Sequence, residues 1–157
     1  MPRHPYKKRK SKVDPIYGSF EVAKLINYLM LDGKKTVAQK IVYNMLNAIK
    51  DENKDPVKTL HQAINNVAPT YEVKPRRLGG ASYLVPTEVR RDRKFFLAFN
   101  WIIVAAKTRS NKEFHSFDKK LLAEIHDAAN NQGQAVTKRQ QTEKLAESNK
   151  AFSHLKW

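Results

Sequence analysis

From Phe20 onward the apolar residues fall at helical spacing. Val22, Leu25, Ile26, Leu29 and Met30 recur every third or fourth position and form one stripe, which predicts an amphipathic helix. Asp32-Gly33 predicts its end, because glycine tolerates the left-handed conformation that closes a helix. Ala38, Ile41, Val42, Met45, Leu46 and Ile49 share the face of a second helix. Asp55 before Pro56 is a start signal, an N-cap and then a first helical position. The third stripe is Val57, Leu60, Ile64 and Val67, and Pro69 ends it. All three stripes read as core, not as cofactor-contacting faces.

After Pro69 the period changes to two. Tyr71-Glu72-Val73 and Tyr83-Leu84-Val85 alternate as strands do, on either side of a segment from Lys74 to Ser82 that contains Gly79-Gly80. This predicts a hairpin at about 71–90. Pro75 and Pro86 interrupt both runs and predict an irregular ribbon. A lone hairpin is marginal in water, so the arm is expected to project and to rigidify against a partner. Helix returns at about Arg93, and the run from Phe95 to Ala106 is apolar nearly all round, which predicts a central helix packed on most sides. Lys107 to Phe114 reads as a polar loop. Ser116 is the expected cap of a fifth helix, with Leu121, Leu122, Ile125 and Ala129 on its buried face and Asn130-Asn131-Gln132-Gly133 as its stop. A last helix, roughly Thr137 to Phe152, carries sparse apolar positions (Leu145, Ala146, Phe152) and belongs on the surface. The expected fold class is mainly α. A single six-helix domain over residues 14–157 bears a protruding basic β-hairpin arm, preceded by a disordered basic N-terminal extension over residues 1–13.

Charge turns this generic helical domain into a binder of polyanions. Thirty Lys plus Arg against fifteen Asp plus Glu give a formal net charge of +15, while 41% hydrophobic residues still supply a core. Such a chain repels copies of itself and attracts nucleic acid, so a homo-oligomer is not expected. The excess is gathered into patches. Arg3, Lys7, Lys8, Arg9, Lys10 and Lys12 stand together without an acid, and Pro2 and Pro5 discourage helix, so this arm should order on a polyanion. Lys34 and Lys35 lie at the junction of the first two helices, where N-terminal amides also favour phosphate. Lys138 and Arg139 repeat that arrangement at the start of the last helix. Lys74, Arg76 and Arg77 lie on the hairpin, with Arg90, Arg91, Arg93 and Lys94 crowding its base. A narrow ribbon carries Arg76 and Arg77 to phosphates that a globular face does not reach. Tyr83 and Trp157 are candidate stacking groups. Each phosphate neutralised releases counterions, so affinity should fall steeply with salt.

The chemistry of catalysis is missing. There are no cysteines, which removes disulfides, thiolate nucleophiles and Cys-based zinc sites. His4, His61, His115, His126 and His154 are scattered without metal-binding spacing. Gly79-Gly80 lacks the Lys-Ser/Thr of a phosphate-binding loop, and Ser19, Ser82, Ser116 and Ser148 have no identifiable base. No cofactor, no metal and no enzymatic activity are expected. No apolar run approaches the ~20 residues that cross a bilayer, and the polar stretch after the basic N-terminus lacks a signal-peptide apolar region. A cytoplasmic location without membrane contact is the simplest expectation.

A family likeness runs through the same stretches. Asp14-Pro15-Ile16-Tyr17-Gly18-Ser19, Lys24-Leu25-Ile26-Asn27 and Met30-Leu31-Asp32-Gly33-Lys34-Lys35 resemble the opening of the small-subunit ribosomal protein seven family, bacterial or organellar in type. Pro69, Glu72-Val73, Arg76-Arg77-Leu78-Gly79-Gly80-Ala81, Tyr83, Val85-Pro86 and Glu88-Val89 resemble its hairpin. Trp101, Ala105-Ala106, Leu122-Ala123-Glu124 and Asp127-Ala128-Ala129 resemble its later helices, and Ala146 to Phe152 with Trp157 its C-terminus. The ordered set covers Asp14 to Trp157. Lys107 to Phe117 shows little of the family pattern, and Leu155-Lys156 departs from it before Trp157.

The resemblance implies a helical domain with a protruding hairpin that binds the 3′ major domain of small-subunit rRNA and nucleates assembly of the subunit's head. It implies a place on the ribosome near the exit-site tRNA and the mRNA path, beside ribosomal protein eleven of the same subunit. By motif position the rRNA-binding role falls to the N-terminal arm, Lys34, Lys35, Arg76, Arg77 and the basic cluster after the hairpin. The tRNA-proximal role falls to Gly79, Gly80 and Tyr83, and to Lys150 and Trp157 at the C-terminus. Two other readings compete. A DNA-architectural protein also suits a helical body with a basic β-arm, and an RNA-modifying enzyme would need a cofactor pocket that the sequence does not offer.

Overall fold

The computed structural model describes residues 12–155, and within them the chain is mainly helical with one antiparallel hairpin, as expected. The order is α1 (Phe20–Leu29), α2 (Lys35–Asp51), α3 (Pro56–Val67), β1 (Tyr71–Leu78), β2 (Ala81–Glu88), α4 (Arg91–Thr108), α5 (Phe117–Ala129), α6 (Gly133–Ser148) and a 3-10 helix (Lys150–Leu155). The three sequence stripes become core: Val22, Leu25, Val42, Leu46, Leu60 and Val67 are fully buried. Asp55 caps α3 as read, accepting the amides of Val57 at 3.0 Å and Lys58 at 3.3 Å, with Pro56 at the first position.

Packing places α4 and α5 in the middle together with α3, which touches all five other α-helices. α5 touches α2, α3, α4 and α6, and α4 touches α1, α3, α5 and α6. α4 is central but not apolar all round. Phe96, Asn100 and Val104, each one turn after the last, are exposed. The helix also begins earlier, at Arg91, and runs to Thr108 into the expected loop. Asp14, 3% exposed, fixes the approach to α1: its carboxylate accepts the amides of Ile16 and Tyr17 and the Tyr43 hydroxyl at 2.7 Å. Burial and that bond to Asp14 push the Tyr43 phenol up to about 12.

The hairpin is regular, contrary to expectation. Eight residue pairs run without a break from Tyr71 opposite Glu88 to Leu78 opposite Ala81. Gly79 (φ 55°) and Gly80 (φ 89°) form the two-residue turn, and both occupy the left-handed region that such a hairpin turn demands. Counting back from the closing pair, Pro75 opposite Leu84 and Pro86 opposite Val73 fall at sites whose amides point away from the partner strand. In a ribbon of two strands nothing waits there for an N–H, so neither proline breaks the ladder.

The last helix also departs from the reading. Asn131, at φ 60°, supplies the left-handed stop after α5, and α6 then begins at Gly133, several residues earlier than expected. It ends at Ser148, and the chain tightens into the 3-10 helix.

Candidate nucleic-acid interface

One face formed by α1 and α4 joins cations to aromatic rings. Lys24 Nζ lies 5.3 Å from the centre of the Phe20 ring, Arg91 lies 5.9 Å over Phe95, and Arg93 lies 5.0 Å over Phe96. Residues three or four apart share a helix face, so these pairings follow from the sequence spacing. Phe20 meets Phe95 edge-on at 6.3 Å, and Tyr28 meets Phe96 at 5.7 Å, which ties the two helices into one surface. Phe20 and Phe96 remain 40% and 37% exposed. Such a face offers charge for phosphates and planes for unstacked bases together. The sequence reading found Arg91 and Arg93 but missed Lys24, Phe20 and Phe96. The available signal was Asn100, a polar residue one turn after Phe96 that marks the open side of an otherwise apolar helix.

The hairpin is braced as well as basic. The Thr70 amide donates to Glu143 of α6 at 2.9 Å, and Val89 N donates to Thr70 O at 3.0 Å, which closes its base. Tyr83 packs against Phe152 of the 3-10 helix, ring centres 5.3 Å apart. Glu72 gathers two of the base cations, Arg93 at 3.3 Å and Lys74 at 3.5 Å. Arg76 is half-buried opposite Tyr83, whereas Arg77, Arg90 and the tip glycines Gly79 and Gly80 are exposed. Lys94 is half-buried at the start of α4, and Lys150 is exposed on the 3-10 helix.

The remaining sequence candidates divide. Lys34 and Lys35 are exposed at the start of α2, with Lys34 3.8 Å from Asp32. Lys12 is exposed. Arg3, Lys7, Lys8, Arg9, Lys10 and Trp157 lie outside the described residues. Lys138 is exposed, but Arg139 donates to the Asn66 carbonyl at 2.7 Å and so ties α6 to α3. Because α6 starts at Gly133, neither residue sits at its N-terminus. That end is already served within the protein, where the Glu124 carboxylate accepts the Ala135 amide at 3.2 Å.

Sequence reasoning passed over Arg109, which organises the interior. It reaches Glu124 at 2.6 Å and also bonds Asp127, while Lys120 donates to the Arg109 carbonyl and to Asn111 Oδ1, both at 2.5 Å. Burial works against the Arg109 charge, but the bonds to Asp127 and Glu124 outweigh it and raise its pKa. Glu124 is fully buried and Lys120 nearly so. Among the described residues no cluster of His, Asp and Glu is placed to hold a metal ion, and no helix is long and apolar enough to cross a membrane.

A helical body with a regular basic ribbon and a face of cations laid on open rings defines a polyanion-binding class of protein. Comparison with known proteins then places it. Residues 1–150 match the family model for ribosomal protein S7p/S5e. The chain is 50% identical to the small ribosomal subunit protein uS7 of Caldicellulosiruptor bescii, over all of both chains. It is likewise 50% identical over all of both chains to that of Moorella thermoacetica. To that of Acetivibrio thermocellus it is 50% identical over 96% of this chain and 95% of the relative. The chain belongs to the ribosomal protein S7p/S5e family: it is a structural constituent of the small ribosomal subunit and not an enzyme.

Proposed function

We propose that the protein binds the 3′ major domain of small-subunit rRNA and helps nucleate assembly of the head. In this reading residues 14–157 act as one rRNA-binding domain, and the basic residues 1–13 act as an arm that follows the RNA. The hairpin tip at Gly79-Gly80, with Tyr83, Lys150 and Trp157, faces the exit-site tRNA and the mRNA path, and ribosomal protein eleven is a neighbour. The supporting observation is the α1–α4 face, where Lys24, Arg91 and Arg93 lie over phenylalanine rings of which two stay exposed. Folded RNA presents phosphates and unstacked bases side by side in loops and junctions, whereas duplex DNA hides its base faces. The DNA-architectural reading has only the basic ribbon behind it.

The test is a titration of the purified chain with a transcript of the 3′ major domain and with duplex DNA of equal length, at several salt concentrations. Binding that prefers the rRNA and falls steeply with salt is expected. Equal affinity for the two polymers would mean that only a general polycation has been built, and would sink the proposal.

A further inference from the structure

Beside Lys34 lies an apolar groove of about 330 Å³, bounded by the α1–α2 turn, the first turns of α2, and residues from the end of α4 and the start of α5. Leu29 and Ala38, 8% and 2% exposed, belong to its lining, as do Leu31 and Val37, which are 62% and 54% exposed. The last two contribute little to the core yet stand open on a chain of net charge +15. Ile41, the half-buried ring of Phe117, the exposed ammonium groups of Lys34 and Lys107 and one carboxylate, Asp32 at 3.8 Å from Lys34, complete the site, which keeps a net positive charge. Lys34 gives α2 no side-chain cap, and the Lys35 amide is taken by the Gly33 carbonyl at 2.8 Å, so the amides beside the groove at the start of that helix are those of Thr36 and Val37.

The combination is specific in what it can accept. Cations and open amides call for anions, and the lining calls for something apolar between them. A volume near the bottom of the roughly 300–1,000 Å³ range of small-molecule pockets admits a single ring system. A nucleotide carries both demands in one unit, a planar base with a phosphate on either side. An acidic peptide would have to supply its charge and its apolar tip from separate residues.

We propose that this groove receives one unstacked nucleobase of the bound RNA, with the flanking phosphates resting on Lys34, Lys107 and the Thr36 and Val37 amides of α2. The inference depends on RNA being the ligand, as proposed above. It adds a base-binding site that is separate from the α1–α4 face, beside the Lys34–Lys35 pair that the sequence marked for phosphate alone.

The test compares the full chain with the double variant L31S/V37S, which keeps every cation. Both bind the transcript of the 3′ major domain at several salt concentrations, with thermal melts as a check on folding. Losing one stacked base is expected to weaken binding about tenfold, roughly 1.4 kcal/mol, with an unchanged salt slope. A variant that binds within twofold of the parent overturns the proposal and leaves the groove to an acidic protein segment. A loss accompanied by a shallower salt slope overturns it too, because the change then acts through the lysines. Ultraviolet cross-linking of the unaltered chain to the same transcript reads the site directly. A cross-linked peptide containing Phe117 or residues 31–37 is expected, and cross-links confined to other peptides overturn the proposal. Failure of the proposed function itself is read separately, in the parent's preference between rRNA and duplex DNA.

Discussion

Arg109 at the end of α4 and Arg93 near its start present the same guanidinium to different surroundings. Arg109 is drawn inward between Glu124 and Asp127, and Lys120 closes the cluster from below by bonding the Arg109 carbonyl. Arg93 lies on an exposed ring and shares Glu72 with Lys74 at the hairpin base. Composition counts both toward the net charge of +15, but only Arg93 lies on the open face proposed above to meet RNA. A basic residue in a polyanion-binding protein takes its role from its acid neighbours. Where carboxylates enclose it, it holds the fold. Where rings and solvent surround it, it is available to phosphate.

Removing the inward member should be the larger perturbation. R109M keeps most of the packing of the stem and leaves the Glu124 charge uncompensated at 0% exposure. Breaking a buried pair from one side costs about 3–5 kcal/mol, so the urea midpoint should drop by the equivalent amount. Adding E124Q removes the stranded charge while leaving an oxygen for the Ala135 amide, and should recover much of the loss. RNA affinity, measured where R109M is still folded, should stay within about threefold of the parent. An unchanged urea midpoint in R109M would erase the contrast between the two ends of α4.

The outward members should show the opposite profile. R91A/R93A is expected to cost less than about 1 kcal/mol of stability, since exposed cation–ring contacts and surface ion pairs are worth little. Its affinity for the 3′ major domain transcript should fall by roughly 2 kcal/mol, about thirtyfold, through two lost charge-assisted contacts. The salt slope should become shallower by about 1.5, because two fewer phosphates are neutralised. A variant that loses stability and affinity in parallel would show that Arg91 and Arg93 are structural after all.

The helices were legible in the sequence because each buried stripe repeats at its own period, as Val22, Leu25 and Leu29 do in α1. The hairpin was legible through Gly79-Gly80. Its regularity was not, because the cost of Pro75 and Pro86 depends on register, and register is fixed only when both strands are paired. The start of α6 was misplaced for a related reason. Gly133 looks like the end of α5, but Asn131 takes the left-handed stop. Gly133, itself at φ 91°, stands where a Cβ would come within 3.1 Å of Asp127 Cβ and of Glu124 Oε1. Nothing local in the sequence reports that contact, which joins two helices. The basic patches could be found by counting, yet separating Arg109 and Arg139 from Arg91 and Arg93 requires knowing which acids and carbonyls the fold brings near.

The smallest expected effect tests whether the hairpin belongs to the exposed or the braced class of features. Tyr83 on Phe152 is a brace that joins β2 to the 3-10 helix. F152A removes one aromatic pair, worth about 0.5–1.5 kcal/mol beyond its buried area. Since Phe152 packs on the arm and lies outside the main core, the melting temperature should move little. Hydrogen exchange should locate the change: amides of β1 and β2 near Arg76 and Tyr83 should lose protection, while those of α4 and α5 keep it. Uniform loss across the helices would mean that the 3-10 helix supports the whole domain. Unchanged protection in β1 and β2 would mean that the Thr70–Glu143 contact at the base holds the arm without it.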